Sequence, residues 1–321
     1  MRETLLVTGA NGFVGSALML RLAAQPQYET VGIVRSAPKR AVGGVAYEVV
    51  DNPFTHSPSS VLQRTNTIIH LASRVHVMQE TAVDPLAEFR RVNVDGTLSL
   101  ARAAAQAGVR RFIFVSSVKV NGETTDGRQP FTADEPPAPS DPYGISKREA
   151  EDGLRQLAAE TRLEVVIVRP VLVYGPGVKA NFRSMMDWLS KGVPLPFGAI
   201  HNQRSLVALD NLVDLLLTCI DHPAAANQTF MASDGHDLST TQLLQGLGKA
   251  LGKPARLLPV PAAWLKGVAT LAGKGGLAQR LCGSLQVDIG KNRELLGWQP
   301  PLGVDQALRN TATHFLKEQD K

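Results

Sequence analysis

Tyr143 and Lys147 are the residues whose types and spacing most clearly suggest chemistry. They are four positions apart in a helix-forming segment, so both side chains lie on one helical face. A phenol has an ordinary pKa of about 10, and it acts as an acid or base near neutrality only beside a cation that favours the phenolate. Lys147 supplies that cation. We therefore expect the pKa of Tyr143 to lie well below its ordinary value.

Ser116 and Ser117 end a predicted strand, at the edge where parallel sheets bind ligands. A serine hydroxyl there can bind a substrate oxygen and relay its proton. Serines at strand ends are usually loop starts, so these two gain weight only from their coincidence with Tyr143 and Lys147.

A glycine turn precedes this pattern, at Gly9, Gly12 and Gly15. Its GxxGxxG spacing departs from the GxGxxG dinucleotide fingerprint, but it lies between a predicted strand and a predicted helix. Gly9 would permit a sharp turn, Gly12 would let phosphates approach the backbone, and Gly15 would let helix and strand pack closely. The turn predicts a pyrophosphate site at a helix N-terminus. The alternative is a glycine turn that only connects the strand to the helix.

Short apolar runs alternate with longer helical patterns in the first half, which predicts an α/β fold of Rossmann type with a doubly wound parallel sheet. The predicted strands are Leu5–Thr8, Thr30–Val34, Ala46–Val50, Thr67–Leu71, Arg111–Ser116 and Val165–Arg169. The predicted helices are Phe13–Ala24, Pro85–Ala107 and Pro142–Thr161.

Prolines punctuate shorter elements after Pro170. We therefore expect a dinucleotide-binding domain over 1–170 and a smaller, mainly substrate-binding α/β region over 171–321, some of whose elements return to the Rossmann core. The predicted helices there are Phe182–Lys191, Asn211–Asp221, Thr240–Leu251 and Val304–Leu316, and the predicted strands are Asn202–Ala208 and Gln228–Met231.

Composition narrows the class of protein. With 44% hydrophobic and 20% charged residues, the chain is neither a disordered polymer nor a membrane bundle. Its net charge of +5 is scattered and no nucleic-acid motif accompanies it, so we expect no nucleic-acid partner. Cys219 and Cys282 show no metal-type spacing, and no secretory signal or membrane span is evident, so we expect a cytoplasmic protein without a metal site.

Several stretches together resemble a known family. They are TGANGFVG at 8–15, HLAS at 70–73, NVDGT at 93–97, FVSS at 114–117, YGISK at 143–147, RPVLVYGPG at 169–177, RSLVALDN at 204–211 and LGWQPP at 296–301. Over essentially its whole length the chain resembles the extended branch of the short-chain dehydrogenase/reductases, the NAD-dependent epimerase/dehydratase family of nucleotide sugars. The overall pattern is also similar to reductase-like members that serve bacterial O-antigen and lipopolysaccharide assembly, most strongly in DHPAAANQTF at 221–230 and GSLQVDIGKNRELLGW at 283–298.

This resemblance implies that Tyr143 is the catalytic acid/base, that Lys147 holds the nicotinamide ribose, and that Ser117 rather than Ser116 binds the sugar oxygen. Ser117 is favoured because it precedes Gly122 by five residues. The chain departs from the family's Val-Tyr-Gly pattern at Asn121, which leaves the local packing open.

The expected cofactor-binding residues are Gly9, Asn11, Gly12, Phe13, Val14, Gly15, Arg35, Ser36, Asp51, Asn52, Leu71, Ala72, Ser73, Asn93, Val115, Tyr143, Lys147, Pro170 and Val171. The expected substrate-binding residues are Ser117, Val118, Tyr143, Asn181, Phe182, Arg204 and Arg280. Among them, Asp51 would meet the adenine amino group, and Arg204 and Arg280 would meet pyrophosphate or uridine. Arg280 matches the family only loosely, and a surface role is an equal alternative.

Three residues bear on the reaction. Dehydratases of this family carry an Asp-Glu pair after the catalytic serine, where this chain has Val118 and Lys119, so we expect 4-keto reduction or 4-epimerisation instead of dehydration. Arg35 follows the second strand, where it can receive a 2′-phosphate, so NADP(H) is favoured over NAD(H). NADPH is consumed in a net reduction, whereas an epimerase retains its NAD, so a preference for NADP(H) slightly favours a net reductase. Such an enzyme would act on a UDP-4-keto-6-deoxy-N-acetylhexosamine to give UDP-QuiNAc or UDP-FucNAc. A UDP-sugar 4-epimerase that keeps NAD is the main alternative.

Two rival classes stay open: a non-catalytic dinucleotide sensor and a reductase of small ketones. The presence of Tyr143 and Lys147 argues against the sensor. The small-ketone reductase would not need cationic contacts such as Arg204. Helices 85–107 and 142–161 resemble those of the family's dimer interface, so we expect a homodimer.

Overall fold

A computed structural model describes residues 2–38, 41–50, 59–75, 84–273 and 275–319 of the 321. The strands are β1 (Glu3–Thr8), β2 (Tyr28–Val34), β3 (Ala46–Val49), β4 (Thr67–His70), β5 (Arg111–Val115), β6 (Glu164–Pro170), β7 (Leu172–Tyr174), β8 (Leu206–Ala208) and β9 (Thr229–Ala232). The helices are α1 (Phe13–Ala23), α2 (Ser59–Leu62), α3 (Pro85–Arg90), α4 (Gly96–Ala107), α5 (Pro142–Glu160), α6 (Ala180–Ser190), α7 (Leu209–Asp221), α8 (Thr240–Ala250), α9 (Ala262–Leu271), α10 (Gly275–Cys282), α11 (Gly290–Leu296) and α12 (Val304–Gln319).

Seven of these strands form one parallel sheet in the order β3-β2-β1-β4-β5-β6-β9. The strand order reverses between β1 and β4, which is the switch point where doubly wound sheets open a ligand crevice at their carboxyl ends. The predicted α/β Rossmann-type fold is confirmed. The last strand, β9, comes from the C-terminal half of the chain, and β7 and β8 form a separate parallel pair.

The alternation of side chains along each strand divides the core into two layers. Leu5 and Val7 of β1 lie in a cluster with α1 and α7, whereas Leu6 lies in the opposite cluster with α4 and α5. Successive strand residues point to opposite faces, so this period-two pattern covers the sheet with helices on both sides. A third cluster joins α6, α8 and α12 in the C-terminal region.

Helix starts are set by local chemistry. Asp141 caps α5 by accepting from the Gly144 amide at 2.6 Å, and Pro142 fills the first helical position. Ser239 and Gln242 form a capping box at α8. Such caps satisfy amides that have no partner within the helix, so these helices begin close to where the sequence predicts.

The predicted continuous helix over 85–107 is wrong in its middle. A π-helical turn, Arg91–Asp95, separates α3 from α4. Asn93 sits on that turn with its side chain hydrogen-bonded to the loop after β4 and to α5. A π turn widens the helix by one residue, and here the polar contacts of Asn93 accompany that insertion.

The C-terminal region also differs from the prediction. The strand expected over 202–208 is only Leu206–Ala208, because residues 202–205 make isolated bridges and side-chain contacts instead. Strand β7 and helices α9, α10 and α11 were not predicted from the sequence. Among the residues that the structure describes, no helix is long and apolar enough to cross a bilayer.

Candidate active site

The glycine turn lies at the carboxyl end of β1, beside the switch point. Gly9 has φ +68°, a left-handed conformation that favours glycine. A Cβ on Gly15 would lie 2.1 Å from the Gly9 carbonyl oxygen, and one on Gly12 would lie 3.1 Å from it. The tight packing predicted for Gly15 is therefore visible in the backbone.

Helix α1 starts directly from this turn, with Gly12 as its N-cap and no side-chain cap. The first backbone amides of α1 therefore lack the acceptor that a capping side chain supplies. Because Gly12 has no side chain, nothing at that position keeps a ligand away from these amides. Helix N-termini of this kind attract anions. These features fit a dinucleotide pyrophosphate. The expected neighbours Phe13 and Val14 are partly buried against the core.

The loop after β2 borders the same turn. The Asn11 side chain donates to the Ser36 carbonyl oxygen at 3.3 Å, and Arg35 and Ser36 are exposed there. Arg35 is therefore a solvent-exposed cation in the loop after β2, next to the glycine turn. Asp51 and Asn52, expected at the adenine end, lie outside the described residues.

The loop after β4 is fixed by a buried polar network. His70 is 1% exposed; its Nδ1 lies 2.8 Å from Thr8 Oγ1, and its Nε2 lies 3.0 Å from Thr97 Oγ1. Burial, with a smaller effect of Lys147, lowers the pKa of His70 to about 3, so the imidazole is neutral. Thr8 also accepts from the Ala72 amide at 3.1 Å, which joins the β4 loop to β1. Leu71 and Ala72 are partly buried beside this link.

Asn93 and Ser73 continue this network toward the catalytic helix. Ser73 Oγ donates to Asn93 Oδ1 at 3.0 Å, and Asn93 Nδ2 donates to Ser146 Oγ at 3.0 Å. Ser146 in turn donates to the carbonyl oxygen of Tyr143 at 2.8 Å. The predicted cofactor residues Ser73 and Asn93 are thereby tied to the first turn of α5.

Tyr143 and Ser117 meet in the cleft. The Tyr143 side chain lies close to the Ser117 and Ser73 hydroxyls, and its ring packs edge-on against Phe89 at 5.9 Å between centroids. Ser117 also accepts from the Lys119 amide at 3.2 Å, which caps the short 3₁₀ turn 118–120. The structure therefore brings together the phenol and the serine that the motif analysis paired.

Lys147 approaches from the next turn of α5. Its ammonium is 5.9 Å from the Tyr143 ring centroid and 4.5 Å from that of Phe114, and it donates to the Val115 carbonyl oxygen at 2.9 Å. Lys147 is only 2% exposed. The trio Ser117, Tyr143 and Lys147 thus lies in one cleft. Val115 contributes a carbonyl oxygen, and Pro170 and Val171 follow the adjacent strand β6, with Val171 in the core.

The expected depression of the Tyr143 pKa is wrong for the cofactor-free protein. Burial, with a smaller effect of Asp141, raises the pKa of Tyr143 to about 12, against the opposing effect of the nearby Ser73 and Ser117 hydroxyls. The side chain is partly exposed toward the cleft, but protein atoms surround it on its other sides. Burial also lowers the pKa of Lys147 to about 7, against the effect of Glu151. The sequence prediction counted the charge of the lysine and omitted the burial of both groups.

A buried ion pair that was not predicted from the sequence joins α5 to β6 next to the cleft. Glu151 is fully buried, and Arg169 Nε and Nη2 donate to its two carboxylate oxygens at 2.9 and 2.6 Å. Ser116 donates to the same carboxylate at 2.6 Å. Glu151 follows Tyr143 and Lys147 at the same spacing of four, and that continuation was the available signal.

The same network explains the departure from the family's Val-Tyr-Gly pattern. Asn121 is buried; its oxygen accepts from Arg169 at 3.0 Å and its nitrogen donates to the Thr132 carbonyl oxygen at 2.9 Å. Gly122 follows with φ +151°, and a Cβ there would lie 2.9 Å from the Phe131 ring. Asn121 therefore fills a polar position in the support network.

Lys119 is a further residue that the sequence analysis did not place at the site. It pairs with Asp141, the cap of α5, and with Glu123 at 2.9 Å. The position where dehydratases place an acid thus carries a cation that is engaged by two carboxylates. It links the loop after Ser117 to the start of the catalytic helix.

Two of the expected substrate contacts are corrected by burial. The Val118 side chain is 6% exposed and lies in the core, and the Phe182 side chain is 2% exposed and stacks on Tyr174 with centroids 5.4 Å apart. Neither side chain can line a cleft, so only their backbones are available. Asn181, next to Phe182 at the start of α6, is exposed.

The two candidate arginines lie in the C-terminal region, Arg204 just before β8 and Arg280 in α10. Arg204 Nη1 donates to the Gly283 carbonyl oxygen at 3.0 Å, and burial lowers its pKa, against the effects of Asp126 and Glu123. Exposed Arg280 is close enough to Arg204 to lower that pKa further. Arg204 and the Lys119–Glu123 pair are therefore electrostatic neighbours. No cluster of His, Cys, Asp or Glu suited to a metal occurs among the described side chains.

The chain is similar to known proteins over its whole length. The family model described as NAD dependent epimerase/dehydratase family matches residues 5–232. A UDP-glucose 4-epimerase of Vibrio cholerae is 47% identical over 325 aligned residues, which cover 100% of this chain and 98% of that protein.

Two other similarities extend over nearly the full length. An N-acetyl-alpha-D-glucosaminyl-diphospho-ditrans,octacis-undecaprenol 4-epimerase of Escherichia coli O157:H7 is 26% identical, over 97% of this chain and 95% of that protein. A crystal structure of UDP-glucuronic acid 4-epimerase from Bacillus cereus in complex with NAD superposes with a TM-score of 0.80, at 20% identity, over 99% of this chain and 100% of the other. This structural likeness supports the fold alone.

Proposed function

The chain belongs to the NAD-dependent epimerase/dehydratase family and is an enzyme of that family, and from this premise we propose that it is a UDP-hexose 4-epimerase that uses NAD(H). The single observation that carries the choice of epimerisation is the 47% identity, over the whole chain, with a UDP-glucose 4-epimerase. The trio Ser117, Tyr143 and Lys147, gathered at the switch point, supplies the groups that such a reaction needs.

The proposed chemistry divides between cofactor and protein. When bound, NAD⁺ supplies the hydride acceptor for C4 of the sugar and a positive charge beside the phenol. Tyr143 Oη takes the proton of the C4 hydroxyl and later returns it, as general base and general acid. Ser117 holds the C4 oxygen through its hydroxyl, which lies close to Tyr143.

The positions of the support residues favour this division. Lys147 reaches the cleft beneath Tyr143, where a protonated ammonium stabilises the phenolate. Ser73 and Asn93 hold the loop after β4 at a fixed distance from α5. A preorganised set of donors of this kind stabilises developing charge without reorganisation during the reaction.

Cofactor and substrate contacts complete the proposal. We propose that the glycine turn 9–15 and the loop after β4 hold the dinucleotide, and that Asn181, Arg204 and Arg280 bind the nucleotide diphosphate. Two cations facing a diphosphate form charge-assisted hydrogen bonds. A homodimer through α4 and α5, a cytoplasmic location and the division at residue 170 belong to the same proposal.

Net reduction of a UDP-4-keto sugar with NADPH is the second candidate, favoured by exposed Arg35 after β2. The slight preference for reduction rested on this residue, and the relatives above are described as 4-epimerases. Replacing Arg35 with Asp separates the cofactors: if the side chain receives a 2′-phosphate, affinity for NADP⁺ falls while that for NAD⁺ does not.

The deciding experiment incubates purified protein with UDP-glucose or UDP-GlcNAc and without added reductant. Epimerisation, followed by separation of the two sugar nucleotides, is expected with NAD⁺ present. In parallel, the protein receives NADPH and a UDP-4-keto-6-deoxy-N-acetylhexosamine. Loss of nicotinamide absorbance there, without epimerisation in the first reaction, would overturn epimerisation in favour of reduction.

A further inference from the structure

Helix α9 carries a stripe of exposed apolar side chains. Trp264, Val268 and Leu271 are 73%, 66% and 91% exposed, and no residue of this helix is buried. Their spacing of four and then three places them along one side of the helix. Leu258, in the segment just before the helix, is 52% exposed. We call these four side chains the α9 face.

A helix of a globular protein normally turns its apolar stripe toward the core. Here α9 packs against α10 on another side, and the α9 face is left to solvent. Exposed large side chains are normal one at a time, but a contiguous group that includes a tryptophan and a leucine marks an interaction surface.

The stretch of sequence that contains this face carries charged residues of one sign only. Residues 238–287 contain six cations and no Asp or Glu; the cations are Lys249, Lys253, Arg256, Lys266, Lys274 and Arg280. The whole chain has a net charge of only +5, so the rest of it is slightly acidic. The positive potential is therefore concentrated in the segment that contains α9.

We propose that the α9 face docks on an anionic lipid surface. An apolar stripe with a tryptophan, set among lysines and arginines, is the pattern of helices that lie in the headgroup region of a bilayer. Each cation near such a surface adds attraction to anionic lipids. With ten residues α9 is far too short to cross a bilayer, so it would lie on the surface.

The main competing occupant is a second copy of the chain. Pairing two α9 faces would bring two segments of charge +6 together, which repel each other. Charge complementarity therefore favours lipid over self-association.

The α9 face is connected through α10 to the segment that carries Arg204. Helix α10 ends at Cys282, and the next residue, Gly283, accepts from Arg204 at 3.0 Å and from Asn202 at 2.8 Å. The α9–α10 pair is thus joined directly to the wall that carries Arg204. The inference goes beyond the proposed reaction and does not depend on it, since lipid binding is measured without turnover.

The test is sedimentation of the full chain with phosphatidylcholine vesicles, with and without phosphatidylglycerol. We expect binding only to the anionic vesicles, weakened by added salt. The triple substitution Trp264→Gln, Val268→Gln and Leu271→Gln should reduce partitioning at least about tenfold, since each buried apolar side chain contributes about that factor. Leu20→Gln, at a side chain 63% exposed on α1, is the matched control and should bind as wild type.

A second readout keeps the test independent of folding. In a Trp188→Phe background, the remaining tryptophans are Trp264 and buried Trp298, so a blue shift of emission on adding anionic vesicles reports insertion of Trp264. Equal binding to neutral vesicles, no binding, or an unchanged triple variant would overturn the proposal. So would self-association in solution that the triple variant abolishes, because a second copy would then cover the face.

Discussion

Replacing Arg169 with Met should destabilise the protein more than any surface ion-pair change. Arg169 and Glu151 are 2% and 0% exposed, and removing one partner of a buried pair costs about 3–5 kcal/mol, because the buried Glu151 carboxylate is left with weaker partners, Ser116 and the half-exposed Arg155. For 321 residues the entropy of unfolding is about 0.7 kcal/mol per kelvin. The expected fall in Tm is therefore about 4–7 °C.

Arg155 offers the matched control. It donates to the same Glu151 carboxylate at 2.9 Å, but its side chain is 43% exposed. Arg155→Met should cost less than about 1 kcal/mol, or about 1.5 °C, because solvent screens an exposed pair. Both variants are compared by thermal unfolding followed by circular dichroism. Equal shifts would refute the assignment of Arg169 as the buried partner that supports the cleft.

Three further predictions address the cofactor cradle and the catalytic helix. Gly15→Ala should lower affinity for NAD⁺ at least about tenfold in a binding titration, because the added Cβ would lie 2.1 Å from the Gly9 carbonyl oxygen. Gly43→Ala is the control, since a Cβ there has no atom within 4 Å, and it should bind NAD⁺ as wild type. Equal affinities of the two variants would contradict this prediction. Burial lowers the pKa of Lys147 to about 7 in the folded state, so unfolding takes up a proton between pH 7 and about 10.4, and stability rises with pH in that window. From pH 7 to pH 9 the cofactor-free wild type should gain about 2–3 kcal/mol relative to Lys147→Met in urea unfolding, and a parallel pH dependence of the two proteins would refute this. Asp141→Asn keeps a capping acceptor for α5 but removes a negative charge that contributes to the raised pKa of Tyr143. The acidic limb of the pH–rate profile should therefore move to lower pH. An unmoved limb would show that the Asp141 charge does not affect the Tyr143 pKa.

The sequence predicted the arrangement of the sheet and the trio because both depend on short-range patterns. The strand-to-helix glycine turn placed Gly9 and Gly15 where the backbone needs them. The spacing of four in α5 placed Tyr143 and Lys147 in one cleft.

Features that depend on three-dimensional surroundings were not predictable in this way. The π turn at Arg91–Asp95 accompanies the contacts of Asn93 with segments distant in sequence. Phe182 looked like a cleft residue by position but stacks in the core on Tyr174. The pKa of Tyr143 moved opposite to expectation because desolvation depends on packing, which no local pattern reports.

The central claim is that Tyr143 exchanges the proton of the substrate's C4 hydroxyl. Tyr143→Phe removes only the phenolic hydroxyl and leaves the ring packed against Phe89, so cofactor binding should persist. Turnover with the active sugar nucleotide should fall at least about 100-fold, the smaller end of what general acid–base catalysis contributes. The measurement is turnover of Tyr143→Phe alongside an NAD⁺ binding titration. Lost turnover with intact binding is the predicted result, and wild-type turnover would contradict the mechanism.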